Sequence, residues 1–358
     1  MKKPKILFIT TVAPSFFPDS ESSSKDLEYI AKAFESEIIY LRPQRNYFYQ
    51  KIPAYFLGYP QYCTIKKKLE EATFIHLFSP ALVSINILKP YLHKTFISIT
   101  GTLQNLPKLD IKYFSKVKKI TLQTQNNLDL LKNVNALNNL SLLPIGSYFN
   151  FSATLPLAKI PSKDFKIIVV SSPWSYADFD KKGFFTLVQS LKYLPHTHIT
   201  FLWRGKDIDK AVDFINKNRL AHRVHIITGY QNIEKVMAQY DICIALSSHG
   251  KSIKAYPNSI IEALHLKKPV IVNSTIGIAD FIRQKNCGEV IENLNEIELA
   301  EAIKKIQLNY LNYSIDMDLK EFLLDNTIQN IAQLYQKNER PSSQSVHNNS
   351  KFQSIRNN

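Results

Sequence analysis

No stretch of this 358-residue chain offers the roughly 18 consecutive apolar residues that a membrane-crossing helix requires. Cysteine is scarce: Cys63, Cys243 and Cys287 are far apart and have neither metal-ligand nor disulfide spacing. Cys243, inside the apolar run DICIALS, reads as a small buried hydrophobe. A G-x-G-x-x-G turn is missing after the first apolar run, where the chain continues as TTVAPSFFPDS, which disfavours a nicotinamide-dependent dehydrogenase. A cleavable leader is also disfavoured. Two lysines precede the first apolar run, but the run is short, ends at Pro14 and lacks a small-residue cleavage site. A first buried strand explains it better, and a cytoplasmic protein is expected.

What the chain does have is positive charge, with 45 Lys and Arg against 30 Asp and Glu and a formal net charge of +15. Such a balance calls for an anionic partner: nucleic acid, an anionic membrane surface or a phosphorylated small molecule. No helix-turn-helix, zinc-finger or RNA-recognition signature accompanies the charge, so nucleic acid ranks last. Lysines cluster at Lys2–Lys5, Lys66–Lys68 and Lys116–Lys119. Each lysine near an anionic leaflet is worth about 1 kcal/mol, enough in clusters to hold an enzyme peripherally at the inner face of the plasma membrane. For any one cluster the plainer reading, a solvated face, is favoured.

The length suffices for two cores, since single cores stop growing at about 250–300 residues. KILFITT, EIIYL, TFIHLF, TFISIT, KKITLQT and LSLLP are short apolar strands separated by helical or loop material. Continuous apolar strands alternating with helices imply a parallel sheet covered on both faces. After Pro144-Ile145-Gly146 the rhythm breaks, and IGSYFNFSATLPLAKIPSKD reads as a linker. A second series follows, with strands KIIVVSS, HITFLWRG, VHIITG, DICIALSS and PVIVNS. The expected organisation is α/β: Rossmann-like domains at 1–150 and 160–315, a C-terminal helix at 316–337 and a disordered Ser/Asn/Gln-rich tail at 338–358. Paired doubly wound domains favour a ligand in the cleft between them.

The most informative stretch is KAYPNSIIEALHLKKP, residues 254–269. It reads as a turn at Tyr256-Pro257-Asn258 that launches a helix carrying Glu262, followed by the buried strand VIVNS. Amides at a helix start attract phosphate, and a carboxylate one turn further in can accept hydrogen bonds from vicinal ribose hydroxyls. A nucleotide-sugar pocket is one reading; a carboxylate that simply favours an early helical turn is the other.

This block resembles the donor-site motif of the retaining glycosyltransferase family with the GT-B fold (glycosyl transferases group 1, family 4), which includes bacterial lipopolysaccharide and exopolysaccharide transferases. That family shows a stretch like E-G-F-P-N-x-x-x-E-A-x-x-x-G-x-P-V-I, matched here by Pro257, Asn258, Glu262, Ala263, Pro269, Val270 and Ile271. Lys254 stands where the first Glu of the pair belongs. The resemblance implies two Rossmann-like domains facing a cleft, the last helix returning to the first domain, and neither metal nor cofactor beyond the donor. It assigns Lys182, in Lys182-Gly183, to the donor pyrophosphate, with Lys181 a weaker neighbour. The family's companion arginine is absent, Ser171 and Ser172 occupying its place, and Arg204 is the candidate replacement. Glu262 is assigned to the ribose, the amides of Asn258 and Ser259 to the phosphates, and Tyr230 to the base. Lys254 adds positive charge at the leaving group but cannot accept a sugar hydroxyl's proton. The expected catalytic set is therefore Lys182, Lys254 and Glu262. His249-Gly250-Lys251 and Thr275-Ile276-Gly277 are expected to be turns near the donor. In the first domain Thr100 replaces the family's histidine, His76 reads as a satisfied core residue, and Ser22–Ser24 approach a ligand or cap a helix.

The resemblance implies transfer of a hexose from a nucleoside diphosphate sugar to a glycan or lipid-linked acceptor, with retention. Two alternatives stay open: a GT-B protein that binds a nucleotide sugar without turnover, and a sugar-nucleotide epimerase on the same fold.

Overall fold

The computed structural model describes residues 4–14, 22–44, 47–103, 110–133, 137–147, 164–171, 173–250, 253–314 and 318–339. Its first sheet contains β1 (Ile6–Thr10), β2 (Glu37–Tyr40), β3 (Phe74–Ser79), β4 (Thr95–Ile99), β5 (Lys119–Leu122) and β6 (Leu140–Leu142), in the order β2-β1-β3-β4-β5-β6. The second contains β7 (Phe165–Val169), β8 (Thr197–Trp203), β9 (Val224–Thr228), β10 (Ile242–Ala245), β11 (Val270–Asn273) and β12 (Gly288–Ile291), in the order β12-β11-β10-β7-β8-β9. Neighbouring strands are parallel throughout. The helices of the first half are α1 (Ser22–Ala33), α2 (Tyr47–Lys51), α3 (Tyr62–Glu71), α4 (Ile111–Phe114) and α5 (Gln125–Lys132). Those of the second are α6 (Phe184–Ser190), α7 (Ile208–Lys217), α8 (Ile233–Met237), α9 (Asn258–His265), α10 (Ala279–Lys285), α11 (Glu296–Asn309) and α12 (Leu324–Glu339).

Strands β1, β3, β4, β10 and β11 are buried along their whole length. That is why they read as unbroken apolar runs: successive side chains point to opposite faces, and helices cover both. Ile9, Leu77 and Ile97 pack on one face of the first sheet, while Phe8, Phe78 and Phe96 pack on the other. Ile167, Phe201 and Ile244 lie on one face of the second sheet, opposite Ile168, Leu202 and Cys243. Each such side chain withdrawn from water is worth about 1.5–3 kcal/mol. Cys243 is fully enclosed, as its run predicts.

β12 went unread in the sequence because GEVI is a half-exposed edge whose central residues lack the continuous apolar pattern. The C-terminal segment also differs in detail from expectation. Leu319 and Phe322 pack in the second domain's core, and residues 320–322 form a single 3₁₀ turn. Leu323 then bridges to Ser147, and α12 begins at Leu324. Leu324, Ile331 and Tyr335 complete a core of the first domain, so the chain crosses back to where it began. α12 runs to Glu339, two residues into the stretch read as tail; residues 340–358, and the linker over 148–163, lie outside the described residues. No described helix is long and apolar enough to cross a membrane.

Candidate functional site

In the second sheet the strand order reverses between β7 and β10, which are neighbours although far apart in sequence. Ligands of such sheets bind in the crevice beyond the strand C-termini at that switch point. The loop leaving β7 carries Lys182, and the loop leaving β10 carries Lys254 and leads into α9. Backbone bonds join the two loops: the Ser248 amide donates to the Lys181 carbonyl at 2.9 Å. Gly183 has φ +65° and stands before α6, and a Cβ there would come within 2.9 Å of Leu246. The left-handed turn and the close approach both demand glycine, which accounts for the Lys-Gly pair. Burial pushes the Lys182 ammonium down to about 8, opposed by Asp178. Lys181 pairs with Asp178 at 3.2 Å. Ser171, at the end of β7, has a buried hydroxyl without a hydrogen-bond partner among the described residues; Ser172 lies outside them.

Pro257 precedes α9 and offers no side-chain cap, so the first amides of that helix face the crevice without one. Ser259 is buried, and its backbone amide is the group that could meet a phosphate. Glu262, one turn into α9, is pushed up to about 7 by burial; Arg204 pulls it back, Asp26 pushes it further up, and Lys25 and Lys254 pull it down. Arg204 is thus brought to the charge cluster that surrounds Glu262. It follows β8, in a loop held against the β7 loop by Gly205 and by the bond from the Lys206 amide to the Trp174 carbonyl at 2.7 Å. Trp203 packs in the core beside Phe179 and Phe184.

Lys254 has partners that the sequence reading did not anticipate. Its Nζ donates to Asp26 Oδ2 at 2.6 Å and to Asn258 Oδ1 at 2.7 Å. Ser147 Oγ donates to the same Asn258 oxygen at 2.5 Å. Asp26 lies on α1 and Ser147 follows β6, so the network joins the two domains. The side chains of Lys254 and Asp26 are only 8% and 4% exposed, which makes this a buried ion pair. Gly101 and Lys254 form an antiparallel bridge, and the Ala255 amide donates to the Thr100 carbonyl at 3.0 Å. Thr100, in the place of the family's histidine, therefore helps hold the domains together through its backbone. Beside the ion pair is a small opening of about 20 Å³ whose wall is largely apolar, from Val12, Leu27, Ile30, Phe78 and Ile145, with Thr10, Asp26, Thr100 and Lys254 as its polar members.

The remaining sequence candidates are scattered. Tyr230 is 83% exposed at the end of the edge strand β9 and fills no packing role. Gly250 and Gly277 mark close contact between domains, since a Cβ on either would strike Thr102 of the first domain; Lys251 lies outside the described residues. His76 is fully buried, its ring bonded to Tyr335 at 2.6 Å and to Ser98 at 2.7 Å, and burial pushes it down to about 3. Ser24 is buried with an unpartnered hydroxyl, whereas the side chains of Ser22 and Ser23 lie outside the description. Lys66, Lys67 and Lys68 pair with Glu70, Glu71 and Glu37, so that cluster is largely offset. Among the described residues no group of three or more His, Cys, Asp or Glu could hold a metal ion.

Residues 165–309 match the family model of the glycosyl transferases group 1. The lipopolysaccharide glucosyltransferase WaaG of Escherichia coli K12 is 28% identical over 134 residues, which span 36% of this chain and about a third (35%) of that protein. Among solved structures, a glycosyltransferase from Rickettsia africae aligns over 94% of this chain and 100% of its own, with TM-score 0.67 and 18% identity. HepE of Anabaena, solved with UDP and glucose, aligns over 93% of this chain and 99% of its own, with TM-score 0.65 and 14% identity. Over residues 165–309 this chain is thus similar to the glycosyl transferases group 1, and the whole chain has the GT-B fold.

Proposed function

We propose that this chain is a retaining glycosyltransferase that moves a hexose from a nucleoside diphosphate sugar to a glycan or lipid-linked acceptor without a metal ion. The observation that carries this is that the loop bearing Lys182 and the loop leading into α9, with Glu262, leave the neighbouring strands β7 and β10 at the switch point of the second sheet. Arg204, within the charge field of Glu262, and the unpartnered Ser171 hydroxyl support it. In this reading Glu262 accepts hydrogen bonds from the ribose, and Tyr230 offers its exposed ring to the base. The amides of Asn258 and Ser259 and the cations of Lys182 and Arg204 take up the charge that develops on the departing diphosphate. Lys254, expected from the sequence to add charge at the leaving group, has that charge offset by Asp26 and adds little field of its own. The acceptor oxygen bonds the anomeric carbon from the face that the diphosphate leaves, and its proton passes to the leaving oxygen.

The expected location is cytoplasmic, at the inner face of the plasma membrane, where a lipid-linked acceptor would lie. Support comes from a strip of half-exposed rings in the first domain. Tyr55 and Phe56 are 4.5 Å apart between centroids, Phe56 and Tyr59 5.6 Å, and Tyr59 and Tyr62 6.4 Å. Aromatic side chains with a polar rim suit a lipid headgroup region.

The test is a calorimetric panel of nucleoside diphosphate sugars, with release of free nucleotide as the turnover signal. One donor should bind and be slowly hydrolysed by the wild type, and Lys182→Ala and Glu262→Ala should each weaken binding at least tenfold. Binding that survives both substitutions would remove the site assignment. The buried Lys254–Asp26 pair, in place of the family's Glu, favours a second reading in which a donor binds but is not turned over. Tight binding without nucleotide release, with or without acceptor glycans, would select it.

A further inference from the structure

The family pattern puts a carboxylate at the position of Lys254, and this chain puts an ammonium there. The structure supplies a carboxylate from the other side of the cleft: Asp26 Oδ2 lies 2.6 Å from Lys254 Nζ and 3.4 Å from Asn258 Nδ2. Asp26 is held by the first domain, on α1, and its partners by the second, at the threshold of α9. A carboxylate therefore stands one hydrogen-bond length from the Lys254 ammonium, on the other side of the domain boundary.

A sugar hydroxyl is both donor and acceptor, an ammonium is donor only, and an ionised carboxylate is acceptor only. A hydroxyl can thus enter between Lys254 and Asp26, accepting from the first and donating to the second, and leave both satisfied. The hydroxyls of Thr10 and Thr100 belong to residues lining the same opening. The opening of about 20 Å³ has room for a single water, so a hexose enters only by taking the place of the direct ion-pair contact.

We infer that Asp26, supplied by the first domain, and Lys254, supplied by the second, together bind one hydroxyl of the donor sugar. This rests on the functional reading above and names the pair that grips the transferred sugar.

The test compares affinities for a nucleoside diphosphate sugar and for the matching nucleoside diphosphate, using UDP-glucose with UDP, GDP-mannose with GDP and ADP-glucose with ADP. For whichever pair the wild type binds, Asp26→Asn should weaken the sugar-bearing ligand roughly tenfold or more relative to the bare diphosphate, as loss of a charge-assisted hydrogen bond does. The exchanged variant Asp26→Lys with Lys254→Glu rebuilds the pair and should restore the ratio to within about threefold of wild type. It also decides the matter if Asp26→Asn does not fold. If Asp26→Asn alters both ligands equally or neither, or if the exchanged variant folds with the ratio lost, Asp26 only ties the domains together and the inference falls alone. If the wild type binds none of the six ligands, the functional reading falls and takes the inference with it.

Discussion

Burial shifts Glu262 and Lys182 in opposite directions, each towards its neutral form. Glu262 keeps its proton up to about 7 because burial disfavours the carboxylate. A folded-state value above the unfolded one means that this group costs the fold nothing below about pH 4.5. The penalty then grows as pH rises to about 7, reaching on the order of 3 kcal/mol. Glu262→Gln should therefore stabilise the free protein above pH 7, as thermal unfolding would show. Lys182 holds its charge only up to about 8. Donor affinity should rise through pH 7 as Glu262 ionises and fall above pH 8 as Lys182 is neutralised. Calorimetry across pH 5.5–9.5 should lose the acid limb with Glu262→Gln and the alkaline limb with Lys182→Met. The local structure around these two residues was legible in the sequence because each belongs to a short motif: a glycine turn at Gly183, and one turn of α9. The role of Asp26 was not, because a lone aspartate within a polar helix looks solvated until its partner, 228 residues further on, is placed against it.

The strands were legible for a related local reason. A parallel strand buried on both faces must be apolar throughout, whatever its neighbours, so β1, β3, β4, β10 and β11 announce themselves. The edge strand β12 and the start of α12 depend on contacts made elsewhere, namely pairing to β11 and the Leu323–Ser147 bridge. Two substitutions test how elements hold the site. Gly183→Ala forces a β-carbon into the left-handed region and against Leu246, and should cost about 1–2 kcal/mol or more in denaturant unfolding. Donor affinity should fall with it, because Lys182 is carried by the same turn. Tyr335→Phe removes the hydroxyl 2.6 Å from His76 Nδ1 and leaves a buried polar atom unmet, at a cost of about 1–3 kcal/mol. That variant should unfold earlier while its affinity for donor stays that of the wild type.

At the scale of the molecule, the two domains are fastened at the mouth of the cleft. The Lys254–Asp26 pair, the Gly101–Lys254 bridge and the hydrogen bond between Asn126 and Asp280 all cross the boundary. Removing one member of a buried pair strands the other without compensation, so Asp26→Ala or Lys254→Ala should each cost about 3–5 kcal/mol. The double variant should cost less than the sum, and thermal unfolding of the four proteins closes that cycle. Positive charge gives a weaker signal than the sequence suggests, because Lys5, Lys66, Lys67 and Lys68 already have acidic partners. Membrane attachment through the Tyr55–Phe56–Tyr59 strip would then depend little on lysine. Replacing Phe56 and Tyr59 with serine should release the protein from anionic vesicles more effectively than added salt does.

The return of α12 to the first domain sets an order of birth. His76 is synthesised 259 residues before the tyrosine that satisfies it. At a typical 5–20 residues per second, that interval lasts about 13–50 s on the ribosome. The domain that emerges first is thus the one finished last, while the second can close its own sheet in the meantime. Chains arrested just short of Leu324 should show a protease-resistant second domain tethered to a first domain that is still cut readily.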